Sequence, residues 1–274
     1  MGETIACANQ KGGVGKTTTV VNLASYLAIA GDRVLVIDLD PQGNATSALG
    51  VDRSRDRSVY DAVIDDVQLR ELSVPTQVDG LSLVPSSISL AGAEVELTPL
   101  EQRERRLSTL VDPLRGDYDY ILIDCPPSLG LLTINALTAA DSTLIPIQCE
   151  YFALEGLGQL LATIRLVTDH LNPRLEVKGA VLTMHDGRTR LSSEVGDEVR
   201  RHLGERVYET VIPRSVRLSE APSHGLPIHL YAPSSRGAEA YSDLADEIRA
   251  RDERPHRAPA ATAVSAAPTA AVLA

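Results

Sequence analysis

Nine residues near the start of the chain, Gln10-Lys11-Gly12-Gly13-Val14-Gly15-Lys16-Thr17-Thr18, decide its fold. Before them, Thr4–Asn9 is a short apolar run. After them, apolar residues recur at Val20, Leu23, Ala24 and Leu27 with the period of a helix, until Gly31 supplies a stop. A strand that breaks into a glycine-rich turn and resumes as a helix is the setting of a phosphate-binding loop. Gly12, Gly13 and Gly15 allow backbone conformations closed to other residues, so successive N–H groups can turn toward phosphate oxygens. The N-terminus of the following helix adds its partial positive charge. Lys16 can reach the β- and γ-phosphates, and Thr17 can place its hydroxyl on Mg²⁺. The stretch from Lys11 to Thr18, Val14 included, is therefore expected to bind ATP with Mg²⁺. One position departs from the usual pattern: Gln10 stands where the first glycine is expected.

Outward from the loop, Arg33-Val34-Leu35-Val36-Ile37-Asp38 has the composition of a second buried strand, which completes a βαβ unit with parallel strands. Further strands are expected at Leu81–Pro85, Tyr120–Asp124, Thr143–Gln148, Val177–Thr183 and Val207–Ile212. Most are rich in Val, Ile and Leu without strict alternation, as strands covered on both faces should be. Helices are expected at Thr98–Leu114, Leu154–Leu171, Ser192–Leu203 and Ser235–Arg251. The pattern predicts one doubly wound α/β domain over residues 1–252, a mostly parallel sheet flanked by helices in the manner of P-loop NTPases. From residue 253 to 274 the chain turns to Ala, Pro, Val and Thr without periodicity, which predicts a disordered tail.

Composition sets limits. With 43% hydrophobic and 23% charged residues, a sizeable core is affordable, and with only 3% aromatics and no Trp it must be built from Leu, Val, Ile and Ala. A net charge of −11 argues against a strongly basic nucleic-acid binder but not against a local basic patch. Cys7, Cys125 and Cys149 are widely spaced within or beside apolar runs, which suits buried small hydrophobes and neither a disulfide framework nor a zinc site. No basic signal-peptide start precedes the first strand, and no run reaches the roughly 18 apolar residues of a membrane span, so a cytosolic protein is expected.

Two further segments carry carboxylates to strand ends, where α/β sheets bind ligands. Asp38-Leu39-Asp40-Pro41-Gln42-Gly43-Asn44 follows the second strand, and Asp124-Cys125-Pro126-Pro127-Ser128 follows Tyr120–Ile123. An aspartate after an apolar strand, with a phosphate loop upstream, suits a Mg²⁺ contact. Asp38 suits a turn cap as well as a metal contact. The second lysine of the loop, Lys11, is costly beside Lys16 unless it serves a further anion.

Lys-Gly-Gly-Val-Gly-Lys-Thr-Thr at residues 11–18 resembles the deviant Walker A motif of the ParA/MinD group of P-loop ATPases. Asp40–Thr46, Asp124–Gly130, Gln148-Cys149-Glu150-Tyr151 and Ala221-Pro222-Ser223-His224-Gly225 resemble the ParA/Soj branch, and the likeness spans roughly residues 3–250. That resemblance implies that Lys11 crosses a homodimer interface to the partner's ATP. It implies that Asp40 positions the attacking water near Mg²⁺ and that Asp124 reaches the ion. It implies an adenine site from Val211–Pro222 and the strand end at Thr183, with Pro213 as a base contact and Met184 covering the ring. It further implies that the ATP-bound dimer binds double-stranded DNA without sequence preference, with Arg188 and Arg217 as the DNA contacts. A ParB-type centromere-binding protein would stimulate hydrolysis and release the dimer, and the protein would be cytoplasmic and nucleoid-associated.

Unaided turnover should be slow, since no arginine finger lies in the loop. The loop starts at residue 10, so the helix-turn-helix extension of large plasmid ParA proteins is not expected. Relatives of this kind also position plasmids or other cargo, and the same residues would serve them. A MinD-like membrane ATPase would need a basic amphipathic C-terminal helix, whereas Ser265–Ala274 has no basic residue and is interrupted by Pro268, so no membrane partner is expected. A nitrogenase-reductase-like electron carrier would need cluster-bridging cysteines, which Cys125 and Cys149 do not resemble.

Overall fold

The computed structural model describes residues 2–150 and 153–254, without the side chains of residues 153–155. The tail expected to be disordered lies outside the described residues from 255 onward. Eight strands form one sheet: β1 (Glu3–Cys7), β2 (Val34–Asp38), β3 (Val74–Pro75), β4 (Leu81–Val84), β5 (Tyr120–Asp124), β6 (Ser142–Gln148), β7 (Glu176–His185) and β8 (Val207–Pro213). Their order across the sheet is β3-β4-β2-β5-β1-β6-β7-β8. Every neighbouring pair is parallel except β3 with β4.

The strand residues alternate between two cores, one on each face. Ala6, Leu35, Ile37, Ile121 and Ile123 enter one cluster; Ile5, Cys7, Val34, Val36, Tyr120 and Leu122 enter the other. That explains the continuous apolar runs, because both side-chain directions of each strand find a hydrophobic cover. The second cluster is closed by Val20, Leu23 and Leu27 of the helix Lys16–Ile29 and by Tyr241, Leu244 and Ile248 of the helix Arg236–Arg251. The first is closed by helices that include Val59–Asp65, Leu131–Ala139 and Ala153–His170.

The expected βαβ unit has parallel strands, but β1 and β2 are not neighbours. β5 lies between them and pairs with both. This insertion comes from a strand far along the chain, so local pattern cannot show it. It brings the ends of three strands into line: Cys7 and Asp38 are both register partners of Asp124.

Of the helix expected over Thr98–Leu114 only Arg106–Val111 and the 3-10 turn Asp112–Leu114 form, and an unexpected helix, Leu90–Leu97, ends just before that range. Pro99 has no N–H to donate back into Leu90–Leu97, and Gln102 takes φ 51°, which turns the chain between the two helices. β3 is only two residues long and contains Pro75, so it carries no strand signal.

The last helix is held to the sheet by a buried ion pair, Arg249 with Asp32, at 3% and 4% side-chain exposure. Arg249→Leu is expected to destabilise the fold by about 3 kcal/mol, because it strands a buried carboxylate. Urea unfolding of the variant beside the wild type measures this.

Candidate nucleotide and metal site

The phosphate loop leaves the end of β1 and enters the helix Lys16–Ile29 through Gly15, which sits in the left-handed region at φ 89°. Gly13 is also left-handed, at φ 75°. These two positions need glycine for backbone reasons. Asn9 ties the loop to the sheet: its amide donates to Pro146 O at 2.7 Å, and its Oδ1 accepts the Lys11 N–H at 3.0 Å. Thr183 fixes the far side, donating its hydroxyl to Val14 O at 2.8 Å. The cradle is thus braced by β6 and β7 before any ligand enters.

Lys16 is 6% exposed, and its Nζ donates to Lys11 O at 3.3 Å. Lys11 behaves differently. Its side chain is about one-third exposed and points to Glu150 of the same subunit, with Nζ–Oε2 3.5 Å.

Three carboxylates meet at the neighbouring strand ends, and their hydrogen bonds separate their roles. Asp38 is saturated: Oδ2 accepts the Thr46 N–H and hydroxyl, each at 2.7 Å, and Oδ1 accepts the Asp40 N–H at 3.3 Å. It anchors the loop. Asp40 is partly engaged, with Oδ1 accepting the Gln42 N–H at 2.9 Å and its carbonyl accepting the Ser86 hydroxyl at 2.7 Å. Asp124 is fully buried, and among the described residues neither carboxylate oxygen has a hydrogen-bond partner. A buried, unpaired carboxylate is costly.

Burial first, and the Asp38 charge second, push the Asp124 carboxyl well above the usual carboxylate range, while the nearby Thr17 hydroxyl and Lys16 draw it back. Burial likewise raises Asp38, to about 6, against the pull of its bonds from Thr46.

That electrostatic stress fits a cation. Two lone carboxylate oxygens on Asp124, the half-free Asp40 and the Thr17 hydroxyl are hard oxygen donors of the kind Mg²⁺ selects. Among the described residues no group of three or more His, Cys, Asp or Glu side chains could hold a metal alone. That agrees with an ion that arrives with phosphate oxygens and its own waters. The three thiols offer no alternative chemistry: all are buried, and burial raises the pKa of Cys7 and Cys125 far up and that of Cys149 to about 11.

Beside the loop lies a cavity of about 260 Å³, lined by Gly15, Thr18, Met184, Pro213, Leu218 and Tyr241 among others. It adjoins the phosphate cradle because Gly15 and Thr18 belong to both. Met184 adopts φ 50°, a conformation that costs a non-glycine residue on the order of 1 kcal/mol. Here it falls on a residue that lines the cavity at the end of β7.

Arg188 lies on the loop after β7 and Arg217 on the short helix Val216–Glu220 after β8, at the same end of the sheet as the phosphate loop, with side chains 90% and 61% exposed. Each is ion-paired, Arg188 to Asp186 and Arg217 to Glu220.

Sequence reasoning missed Glu150 as a site residue. It sits just past β6, where it meets Lys11 and also Arg214, whose Nη2 is 3.5 Å from Oε1. A carboxylate opposite the second loop lysine was a usable signal. Among the described residues no helix is long and apolar enough to cross a membrane.

The comparisons agree with this geometry. A family model described as an AAA domain matches residues 2–177. The sporulation initiation inhibitor protein Soj of Bacillus subtilis is 58% identical over 251 residues, covering 91% of this chain and 99% of that protein. The chromosome partitioning protein ParA of Caulobacter vibrioides is 50% identical over 260 residues, covering 94% and 97%. Among solved structures, cobyrinic acid a,c-diamide synthase from Mycobacterium smegmatis, with bound ATP analog and magnesium, superposes with a TM-score of 0.80 at 40% identity over 92% of this chain and 96% of that one. ATP and Mg²⁺ are accordingly the ligands of this fold, and the chain belongs to the Soj/ParA family of chromosome-partitioning P-loop ATPases.

Proposed function

We propose that this protein is a DNA-partition ATPase that works as an ATP-dependent homodimer on DNA and is reset by hydrolysis. The observation that carries the reading is the division of labour at the sheet edge: a buried Lys16, an unpaired Asp124, a half-free Asp40, and a Lys11 that stays out of its own cradle. A loop that needs one lysine for its own phosphates has a second left over for another subunit's. The high identity to Soj and ParA supports the same reading.

In this scheme residues 1–252 form the ATPase domain. The backbone N–H groups of Gly12–Thr18 and the Lys16 ammonium hold the phosphates, and Met184 and Pro213 hold the adenine. Thr17, Asp124 and Asp40 would hold Mg²⁺, which when bound offsets the charge that builds on the phosphate oxygens. Asp40 orients the attacking water. Two subunits close face to face, Lys11 of each reaching the other's nucleotide. The dimer binds DNA through Arg188 and Arg217, placing the protein on the nucleoid. A ParB-type partner accelerates an otherwise slow hydrolysis, and the subunits part and leave the DNA.

The direct test is affinity for a random DNA duplex, measured with a non-hydrolysable ATP analogue, with ADP and without nucleotide. Binding should appear only with the ATP analogue, together with dimer mass in light scattering. It should weaken steeply with added salt. Equal affinity in the three states would sink the proposal.

Asp40→Ala is expected to keep ATP binding and dimerisation but to lower the hydrolysis rate about a hundredfold, the scale of losing a group that orients the nucleophile. The variant should stay on DNA after ATP is added, where the wild type cycles off. Phosphate release and DNA dissociation in one time course measure both.

A further inference from the structure

The arginines that follow β7 and β8 each carry a carboxylate of their own. Arg188 donates from Nε to Asp186 Oδ1 at 2.9 Å and from Nη2 to Oδ2 at 2.8 Å, a two-bond clasp. Arg217 donates from Nη1 to Glu220 Oε2 at 2.9 Å. Arg190, two residues after Arg188, donates from Nε to Glu194 Oε1 at 2.7 Å.

The first two carboxylates are fixed by groups other than the arginine side chains. Asp186 Oδ1 accepts the backbone N–H of Arg188 at 3.1 Å, an Asx turn, and the Asp186 carbonyl accepts the Thr189 hydroxyl at 2.9 Å. Glu220 accepts the Tyr231 hydroxyl at 3.0 Å, and the Tyr231 ring stacks on His224 with centroids 4.9 Å apart. When an arginine swings toward another anion, its carboxylate therefore stays behind. Both acids remain charged near neutrality: the Arg188 bond holds Asp186 below the usual carboxylate range, and the bonds from Tyr231 and then Arg217 hold Glu220 below it.

Building on the reading that Arg188 and Arg217 touch DNA, we propose that Asp186 and Glu220 are built-in competitors for those arginines, anchored carboxylates that each DNA phosphate must displace. An exposed ion pair of this kind is weak, so each attenuates binding about two- to fivefold and does not abolish it. The attenuation multiplies over the contacts made together. One subunit presents two self-neutralised arginines and is held off DNA. A dimer presents four, and their joint gain over many phosphates exceeds the competition. The competition lowers the affinity of both forms and so gates binding at a threshold: a monomer's two arginines stay below it and a dimer's four clear it, which lets a chain of net charge −11 bind DNA only when assembled.

The test is Asp186→Asn with Glu220→Gln in the full chain. Asn keeps an acceptor for the Arg188 N–H, and Gln keeps one for the Tyr231 hydroxyl, so the loops hold while the charges go. Asp79→Asn with Glu205→Gln is the control, because it changes net charge equally just before the starts of β4 and β8, at the opposite end of the sheet from the phosphate loop, at carboxylates that hold no arginine among the described residues. Affinity for a random duplex is read by fluorescence anisotropy with a non-hydrolysable ATP analogue. The gate variant should bind at least fivefold tighter, with a steeper salt dependence, and the control should stay within twofold of wild type. Equal tightening in both pairs would reduce the effect to net charge and overturn the gate. Unchanged affinity in the gate variant would also overturn it. Arg188→Ala with Arg217→Ala separates the two layers. Weakened binding there with no gain in the gate variant leaves the DNA contacts standing and removes only the competition. Wild-type binding there removes both.

Discussion

Lys16→Ala is expected to lose ATP binding while keeping its fold. The lysine is 6% exposed, yet its Nζ meets only the Lys11 carbonyl at 3.3 Å, and among the described residues it forms no ion pair. A buried ammonium so lightly engaged is held ready for an external anion. Its removal leaves no carboxylate that had relied on it for an ion pair. On the ligand side the loss is large. Two charge-assisted bonds to phosphate oxygens amount to about 3 kcal/mol or more, at least a hundredfold in Kd. Calorimetric titration with ATP·Mg²⁺ should show no binding in the range where the wild type saturates. Thermal unfolding without nucleotide should stay within about 5 °C of wild type, since one weak contact and the charge that partly offsets Asp124 are lost. An ATP affinity near that of the wild type would remove the loop from the phosphate-binding role.

The sequence disclosed most of the sheet because its strands are covered on both faces. Tyr120–Asp124 and Val34–Asp38 are buried at every position, so they stand out as unbroken apolar runs. Their order was not legible, since β5 enters between β1 and β2 through pairing that depends on distant residues. The phosphate loop was legible because its glycines answer a local backbone demand, at φ 75° and 89°.

The roles of the aspartates were less so. Asp38 and Asp124 both end apolar strands, and by sequence they are equivalent. What separates them is Thr46, eight residues after Asp38, which donates two hydrogen bonds to its carboxylate, while among the described residues neither Asp124 oxygen has such a partner and the Thr17 hydroxyl only stands near. Glu150 escaped for the same reason: its meaning lies in what stands opposite it across the loops that leave the sheet.

The register of three strands then explains why the site has its chemistry. Pairing Cys7, Asp38 and Asp124 at one level puts the start of the phosphate loop, the loop anchor and the lone carboxylate side by side. Asp124, on the middle strand of the three, has the small Cys7 thiol on one side and on the other Asp38, an acid that repels it. Their repulsion is relieved when a cation and the loop's lysine share the space. Empty, the site is electrostatically stressed, and ligand binding is coupled to release of that stress.

Gly12→Val is expected to bind ATP within about threefold of wild type and to remain a monomer. Glycine meets a different need at each loop position. Gly13 and Gly15 have positive φ, so a side chain there strains the backbone whatever the space. Gly12 has neither constraint. Its φ is not positive, and a Cβ built on it would meet only the Pro127 side chain, at the ordinary contact distance of 3.8 Å. Nothing within the subunit forbids a larger residue, and Gly12 is exposed. If the position needs glycine, the demand comes from outside the subunit. A face-to-face dimer supplies it, because Lys11 can cross to the partner's phosphates only if the adjoining backbone comes close to the partner's loop. The branched side chain of valine would hold the faces apart. Light scattering with a non-hydrolysable ATP analogue should then give the mass of one 29.3 kDa chain for the variant and twice that for the wild type. DNA binding should fall with dimerisation, while a fluorescent ATP analogue still reports a filled site. A variant that dimerises normally would show that the two loops do not meet across the interface, and Lys11 would lose its role in trans.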